Sequence, residues 1–307
     1  MTEQSSGPAG YGIGVANGSS QMPLSTVGLA SILSERGWQA GFDGEGDLIW
    51  DSPFGPCFFQ VYGDRHDTLS VQAQLPALVP ADLEAQVRGV VDQWHREVPW
   101  ATGAVHHAPG SRLALAVSTS VRYPDGLTAE QMAYQVGHAV HTLSVMLSVA
   151  AGQLGLGALP VADPPAPEPT SVLPLPSSQR VQDLLASRSW TYQVTPAGDV
   201  VLPWGQDVFH LMVRGGRGSS LVVVGDLGLD LPVSRLAALR DLLEARHRSH
   251  PMPACFWNQQ GQAVRVGAAY GVDWGAGVTQ AQLAAQVDGA ITAMTEVFGQ
   301  LRTQLAR

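Results

Sequence analysis

The chain has 307 residues, 45% hydrophobic and 14% charged, with a formal net charge of −9. That length suits two domains, each able to bury a core, and the sequence has no apolar run long enough to cross a bilayer as a helix. All seventeen basic residues are arginine, which excludes a lysine Schiff base and a GKS/GKT phosphate loop. Residues 1–159 hold fourteen acids against six arginines, whereas residues 177–307 hold ten against eleven. An acidic first half argues against broad contact with a phosphate backbone.

In chain order, residues 1–22 carry neither the basic nor the apolar region of a signal peptide. Their Gly/Ser-rich composition predicts a disordered arm and a cytoplasmic protein. A helix follows, capped by Ser25 or Thr26 and reaching Arg36. Strand-like runs come next: WQAGF, DLIWD, CFFQVY and TLSVQAQL. A second helix starts after Pro80 and carries Val87, Val90, Val91 and Trp94 at helical spacing. Two strands fit residues near 102–107 and 112–121. A long helix then begins at Thr128, with Met132, Val136, Val140, Leu143 and Leu147 on one stripe. Residues 153–176 hold seven prolines between Pro160 and Pro176, which predicts an extended, semi-rigid linker that lets its neighbours dock in many orientations.

After the linker the chain repeats itself. LASILSERGW at Leu29–Trp38 aligns with VQDLLASRSW at Val181–Trp190, an offset of 152 residues. The same offset carries Arg88, His95, Arg96 and Pro99 onto Arg240, His247, Arg248 and Pro251. After a one-residue slip, GLTAEQMAYQV at Gly126 matches GVTQAQLAAQV at Gly277. A tandem duplication therefore predicts repeats over residues 23–152 and 177–307. It also decides how to read GFDGEGDLIW, whose alternating Asp43, Glu45 and Asp47 suggest a calcium loop. An EF-hand starting at Asp43 needs glycine sixth and glutamate twelfth, and those places hold Leu48 and Phe54. The second repeat keeps only Gly198-Asp199 from the acidic stretch, so a hairpin tip is expected.

The capped helix with Leu184, Leu185 and Trp190, then Gly198-Asp199-Val200-Val201, then Gly277-Val278-Thr279-x-x-Gln282-Leu283-x-x-Gln286-Val287 resembles the YbjN family. Its fold is similar to that of type III secretion chaperones. The first repeat follows the pattern with substitutions such as Leu127 and Met132. The resemblance implies an α+β fold, each repeat running helix, antiparallel strands, helix, two strands, long helix. It implies a regulator or client-binding module and supplies no catalytic residues. Tandem repeats further suggest an internal pseudo-dimer or a homodimer.

Candidate functional residues come from where the repeats differ. Tyr134, His138, His141 and Val145 face away from the apolar stripe of the long helix and become Ala285, Gly289, Thr292 and Glu296. Trp94 and Trp100 become Arg246 and Met252. Side chains that are aromatic or semi-apolar in one repeat alone are the expected partner surface. Arg235, Arg240, Arg246 and Arg248 form a basic cluster, expected to oppose a helix dipole or to dock an acidic partner, the acidic first repeat of the same chain included. His106, His107, His138 and His141 raise a metal- or ligand-dependent alternative, but no HExxH or H-x-x-E-H pattern occurs. Cys57 and Cys255 stand singly in apolar stretches, which excludes a thiolate zinc site. Single-strand nucleic-acid binding through the arginine cluster is a second alternative. The expectation is a non-enzymatic module without cofactor or metal that binds a client protein.

Overall fold

Ser25 and Ser177 open the two halves in the same way. Each has extended backbone, and its Oγ accepts from the N–H three residues on, Gly28 and Arg180 respectively. They cap α1 (Thr26–Glu35) and α4 (Ser178–Ser187). The computed structural model describes residues 20–165 and 173–305. Most of the expected disordered arm, residues 1–19, lies outside the described residues, as do residues 166–172 of the proline-rich segment.

In the first half, β1 (Ala40–Phe42), β2 (Leu48–Ser52), β3 (Gly55–Tyr62) and β4 (Thr68–Gln74) form an antiparallel meander. After the short β5 (Val79–Pro80) comes α2 (Glu84–Glu97), then the hairpin β6 (Thr102–Ala108) and β7 (Arg112–Arg122), and finally α3 (Ala129–Gln153). Strand β7 pairs with β4, β5 and β6, closing a seven-stranded antiparallel sheet.

The second half repeats this order with β8 (Gln193–Val194), β9 (Val200–Trp204), β10 (Asp207–Arg214), β11 (Ser220–Pro232), α5 (Leu236–Ser249), β12 (Ala254–Gln260), β13 (Ala263–Asp273) and α6 (Gln280–Leu305). Its sheet has six strands in the order β12-β13-β11-β10-β9-β8. Strand β11 does the work of both β4 and β5, with a register shift between Asp226 and Asp230. The fold is α+β, in the element order expected from the sequence.

The apolar stripes account for this arrangement. Met132, Val136, Val140, Leu143 and Leu147 of α3 are all buried, as are Leu283, Val287, Ile291, Met294 and Phe298 of α6. Both helices begin in a capping box. Thr128 and Gln131, and Thr279 and Gln282, exchange side-chain and backbone hydrogen bonds. The acidic stretch is a hairpin tip: Gly46 takes φ +90°, and Asp43 Oδ1 accepts from the N–H groups of Glu45 and Asp47. Asp47 in turn accepts from Gln60, so the three carboxylates do not converge.

The proline-rich segment departs from a free spacer. Gly155 and Gly157, both at positive φ, turn the chain after α3, and residues 159–165 run back along that helix. Ser148 Oγ donates to Leu159 O, Ser144 Oγ accepts from the Ala162 N–H, and His141 Nδ1 bonds Ala162 O at 2.6 Å. At the far end Arg180 donates to Pro174 O and Leu175 O, and Val278 N–H donates to Pro174 O. Proline removes a donor but keeps its carbonyl, and these side chains satisfy the acceptors that remain.

Candidate functional site

The two halves meet through contacts that come in exchanged pairs. Arg88 meets Glu244 at 3.3 Å, and Arg240 meets Asp92 at 2.6 Å. Those four residues occupy two matching positions of the repeat. Arg96 lies over the Trp257 ring, while its counterpart Arg248 donates to Val105 O, on the residue that matches Trp257. The Gln131 and Gln282 amides bond each other, and each donates to a glycine carbonyl across the junction, Gly277 and Gly126. Gln135 donates to Asp273 O and Gln286 to Arg122 O. Such exchange, i with j and j with i, is the signature of a two-fold interface.

On the axis of these contacts lie matching residues paired with each other. The buried His95 and His247 rings sit 4.1 Å apart, and Tyr123 meets Trp274 edge-on at 5.8 Å. His95 Nε2 accepts from Gly103 N–H and His247 Nε2 from Cys255 N–H, which assigns the imidazole proton to Nδ1 in both. Burial lowers the His95 pKa to about 4 and drives His247 well below its ordinary value. Burial instead raises the carboxyls of Asp92 and Glu244, against the pull of their arginines.

The symmetry fails beside the long helices. On the α3 side Trp100 lies over Gly271, where an added Cβ would stand 3.0 Å from Cε3 of the indole. Tyr134 Oη donates to Asp273 Oδ1 at 3.0 Å. The tyrosine fits because residue 275 is glycine; a Cβ there would fall 2.1 Å from Oη. His138 packs between Trp100 and Tyr134. Burial lowers its pKa despite the nearby Asp273 carboxylate, and burial together with that carboxylate raises the Tyr134 phenol. On the α6 side Met252, Ala285 and Gly289 occupy these places, and a groove of about 500 Å³ remains between α6 and the rim formed by Arg122 and Pro124.

Most residues of the expected partner surface are enclosed by the chain itself. Trp94 is buried in the core against Gly103, whose Cβ position lies 3.1 Å from the indole. Trp100, Tyr134 and His138 are spent between the halves, and His141 holds the proline-rich segment. Val145 alone of that set is exposed, at 37%. The basic cluster is also engaged internally. Arg235 donates to Leu305 O at the end of α6, Arg240 pairs with Asp92, and Arg248 pairs with Glu244. Arg246 donates to the carbonyls of His250, Met252 and Pro253. A docking patch made of these four is therefore dispersed over contacts within the chain.

The histidines proposed for a metal do not gather. His138 and His141 face different neighbours, and exposed His107 lies 3.9 Å from Glu84. Among the described residues, no three His, Cys, Asp or Glu side chains form a metal-binding group. The two thiols are buried, with pKa values pushed up by desolvation to about 12 for Cys57 and about 11 for Cys255. Such thiols are poor nucleophiles. No helix among the described residues is long and apolar enough to cross a membrane.

Sequence reasoning named Trp100, Tyr134, His138, Arg240 and Arg248 but missed most of the exchanged pairs at the junction, although the signal was present. Arg88/Arg240, His95/His247, Gln131/Gln282 and Gln135/Gln286 are polar and identical in both repeats. A polar residue kept twice where neighbours drift marks a position that both halves use.

Residues 177–303 match the family model YbjN, described as "Putative bacterial sensory transduction regulator". No curated protein matches the chain. Among solved structures the chain is similar to the "Crystal structure of YbjN, a putative transcription regulator from E. coli", at 14% identity and a TM-score of 0.36, over 46% of this chain and 99% of that one.

Proposed function

We propose, from the premise that the second half of this chain is a YbjN domain, that the protein is a non-enzymatic regulator holding a client segment in the groove along α6. The observation that carries this reading is the broken symmetry between the halves. One groove is filled by Trp100, Tyr134 and His138, and the matching groove of about 500 Å³ is left open by Met252, Ala285 and Gly289. The filled side indicates the occupant. A client segment that presents an aromatic side chain replaces what the second half lacks, and burying such a ring is a principal source of interface energy. Chaperone-like handling of an extended or amphipathic segment, in a cytoplasmic setting, belongs to the same reading. The internal pairing of the halves supports it as well, because one chain then supplies the frame that a dimer would otherwise build.

The test rebuilds the plug. A partner captured on the wild-type chain and then purified is titrated against the Ala285→Tyr/Gly289→His variant. We expect affinity to fall at least about tenfold, equivalent to about 1.4 kcal/mol, with the thermal melt of the variant unchanged. Equal affinity for both proteins would remove the groove from consideration.

A further inference from the structure

On the outer face of the first sheet lies a second cleft of about 500 Å³, walled on one side by the end of α5 and the residues that follow it. Its floor is polar where the matching floor of the second half is apolar. Ser70 pairs across strands with Ser120, and Gln72 with Ser118. The same register positions in the second half are Val222 with Gly271 and Val224 with Ala269. Ala104 pairs with Ala116, whereas Phe256 pairs with Gly267 and lies so close that a Cβ there would be 2.5 Å from its ring. Trp100 caps the second-half face over Gly271, and Met252 stands at that place on the first. The second half has therefore filled this face with two aromatic rings. The first half has emptied it and lined it with hydroxyls and amides.

Ser70 and Ser120 are buried at the bottom of this cleft. Ser70 Oγ donates to Thr119 O, so it can offer a ligand only its lone pairs. Ser120 Oγ and Tyr62 Oη share a hydrogen bond of 2.5 Å, and Ser118 Oγ bonds Thr102 Oγ1. The Gln72 side chain makes no hydrogen bond to the described residues, so its amide is open to a ligand. At the mouth stand His106, His250 and Arg248. Arg248 uses Nη1 on Glu244 and on Val105 O, and its Nε and Nη2 make no bond to the described residues. Among the described residues, no carboxylate lines the cleft. Burial and the positive charge of Arg248 both hold the His106 imidazole below its ordinary pKa.

We propose that this cleft binds a small hydroxyl-bearing organic anion, its charged group at Arg248 and the two histidines and its hydroxyls on the serine and glutamine floor. The volume agrees with such a ligand, since small-molecule sites span about 300–1,000 Å³, and the polar lining suits a hydroxyl-rich one. Carboxylate and phosphate are both planar or polydentate acceptors that a guanidinium recognises, so the anionic group defines the class. The site is separate from the α6 groove, although Ser120 and Met252 border both.

The test follows the imidazole carbon-bound protons of His106 and His250 by NMR in the full chain. The probes are glycerol 3-phosphate and gluconate, with glycerol as the neutral control. We expect saturable shifts with both anions at millimolar or lower concentration and none with glycerol. Ala104→Phe, which restores the residue of the second half, should abolish the shifts, and Arg248→Gln should weaken binding at least about tenfold. Both variants are checked for an unchanged fold through backbone amide spectra. Should Arg248→Gln unfold, Ser118→Val takes its place, with the same loss expected. Absence of saturable shifts with either anion, equal binding of glycerol, or unchanged binding in Ala104→Phe would overturn the assignment. Failure here leaves the α6 groove standing, because its test reads a different pair of residues.

Discussion

A histidine that accepts a backbone N–H at Nε2 and is sealed from water keeps one proton on Nδ1 and resists a second. His95 and His247 both do so, ring against ring. The charged groups facing them are Arg88, Asp92, Arg240 and Glu244, joined by Arg96 and Arg246 from the same helices. In the folded chain both imidazoles stay neutral to well below the ordinary value of 6.5. In the unfolded chain they protonate freely below it. The unfolded state therefore binds more protons, and stability is complete above pH 6.5 and falls as the pH drops. His106 and His138, also lowered by burial, act in the same direction. Asp92 and Glu244, raised by burial, act oppositely, but only near the carboxylate range. Between pH 6.5 and about 5, each buried histidine should cost up to about 2 kcal/mol. Urea unfolding across this range should show the loss, and the His95→Asn/His247→Asn variant should show a much flatter profile. A wild-type midpoint that does not move with pH would refute the buried neutral pair.

At the scale of the element, the proline-rich segment shows where composition alone falls short. Its prolines announced the lack of helix and sheet, and that is how residues 159–165 are built. They did not announce the contact with α3, because that contact rests on Ser144, Ser148 and His141, which helical periodicity assigns only to a face turned away from the core. Removing Ser144 Oγ leaves the Ala162 N–H without its acceptor, a loss of about 1 kcal/mol for an ordinary hydrogen bond. Ser144→Ala should therefore speed hydrogen exchange at the Ala162 amide by roughly five- to tenfold, with the α3 core amides unaffected. An unchanged rate at Ala162 would show that the strap is held elsewhere. The helices and strands were legible for the opposite reason. The stripes on α3 and α6 and the Ser and Thr caps are local signals, whereas the junction and both grooves depend on which half faces which. Tyr134 and His138 show the limit well: they were correctly singled out as unusual, and their partner turned out to be Asp273 and the Trp100 ring of the same chain.

For the whole molecule the question is whether the paired surface is used once or twice. Arg88, Asp92, His95, Gln131 and Gln135 all find partners in the second half of the same chain, so the surface through which a single repeat would pair with a second chain is already covered. The segment between the halves favours the same outcome. It is held on α3 as far as Ala162 and again from Pro174 onward by Arg180 and Val278, so an exchange of halves between chains would have only residues 163–173 to bridge them. We therefore predict a monomer of 32.4 kDa by light scattering, at low and high protein concentration alike. Reversing Arg88 and Arg240 to glutamate places four acids around the two imidazoles, and like charges at that distance repel. In that variant the junction should loosen without pairing between chains, read as faster hydrogen exchange at the Gly103 and Cys255 amides bonded to the two imidazoles, at unchanged mass. A wild-type chain that already doubles its mass in the micromolar range would place the paired interface between molecules rather than within one. The open grooves would then have to be sought again on a dimer that carries two copies of each.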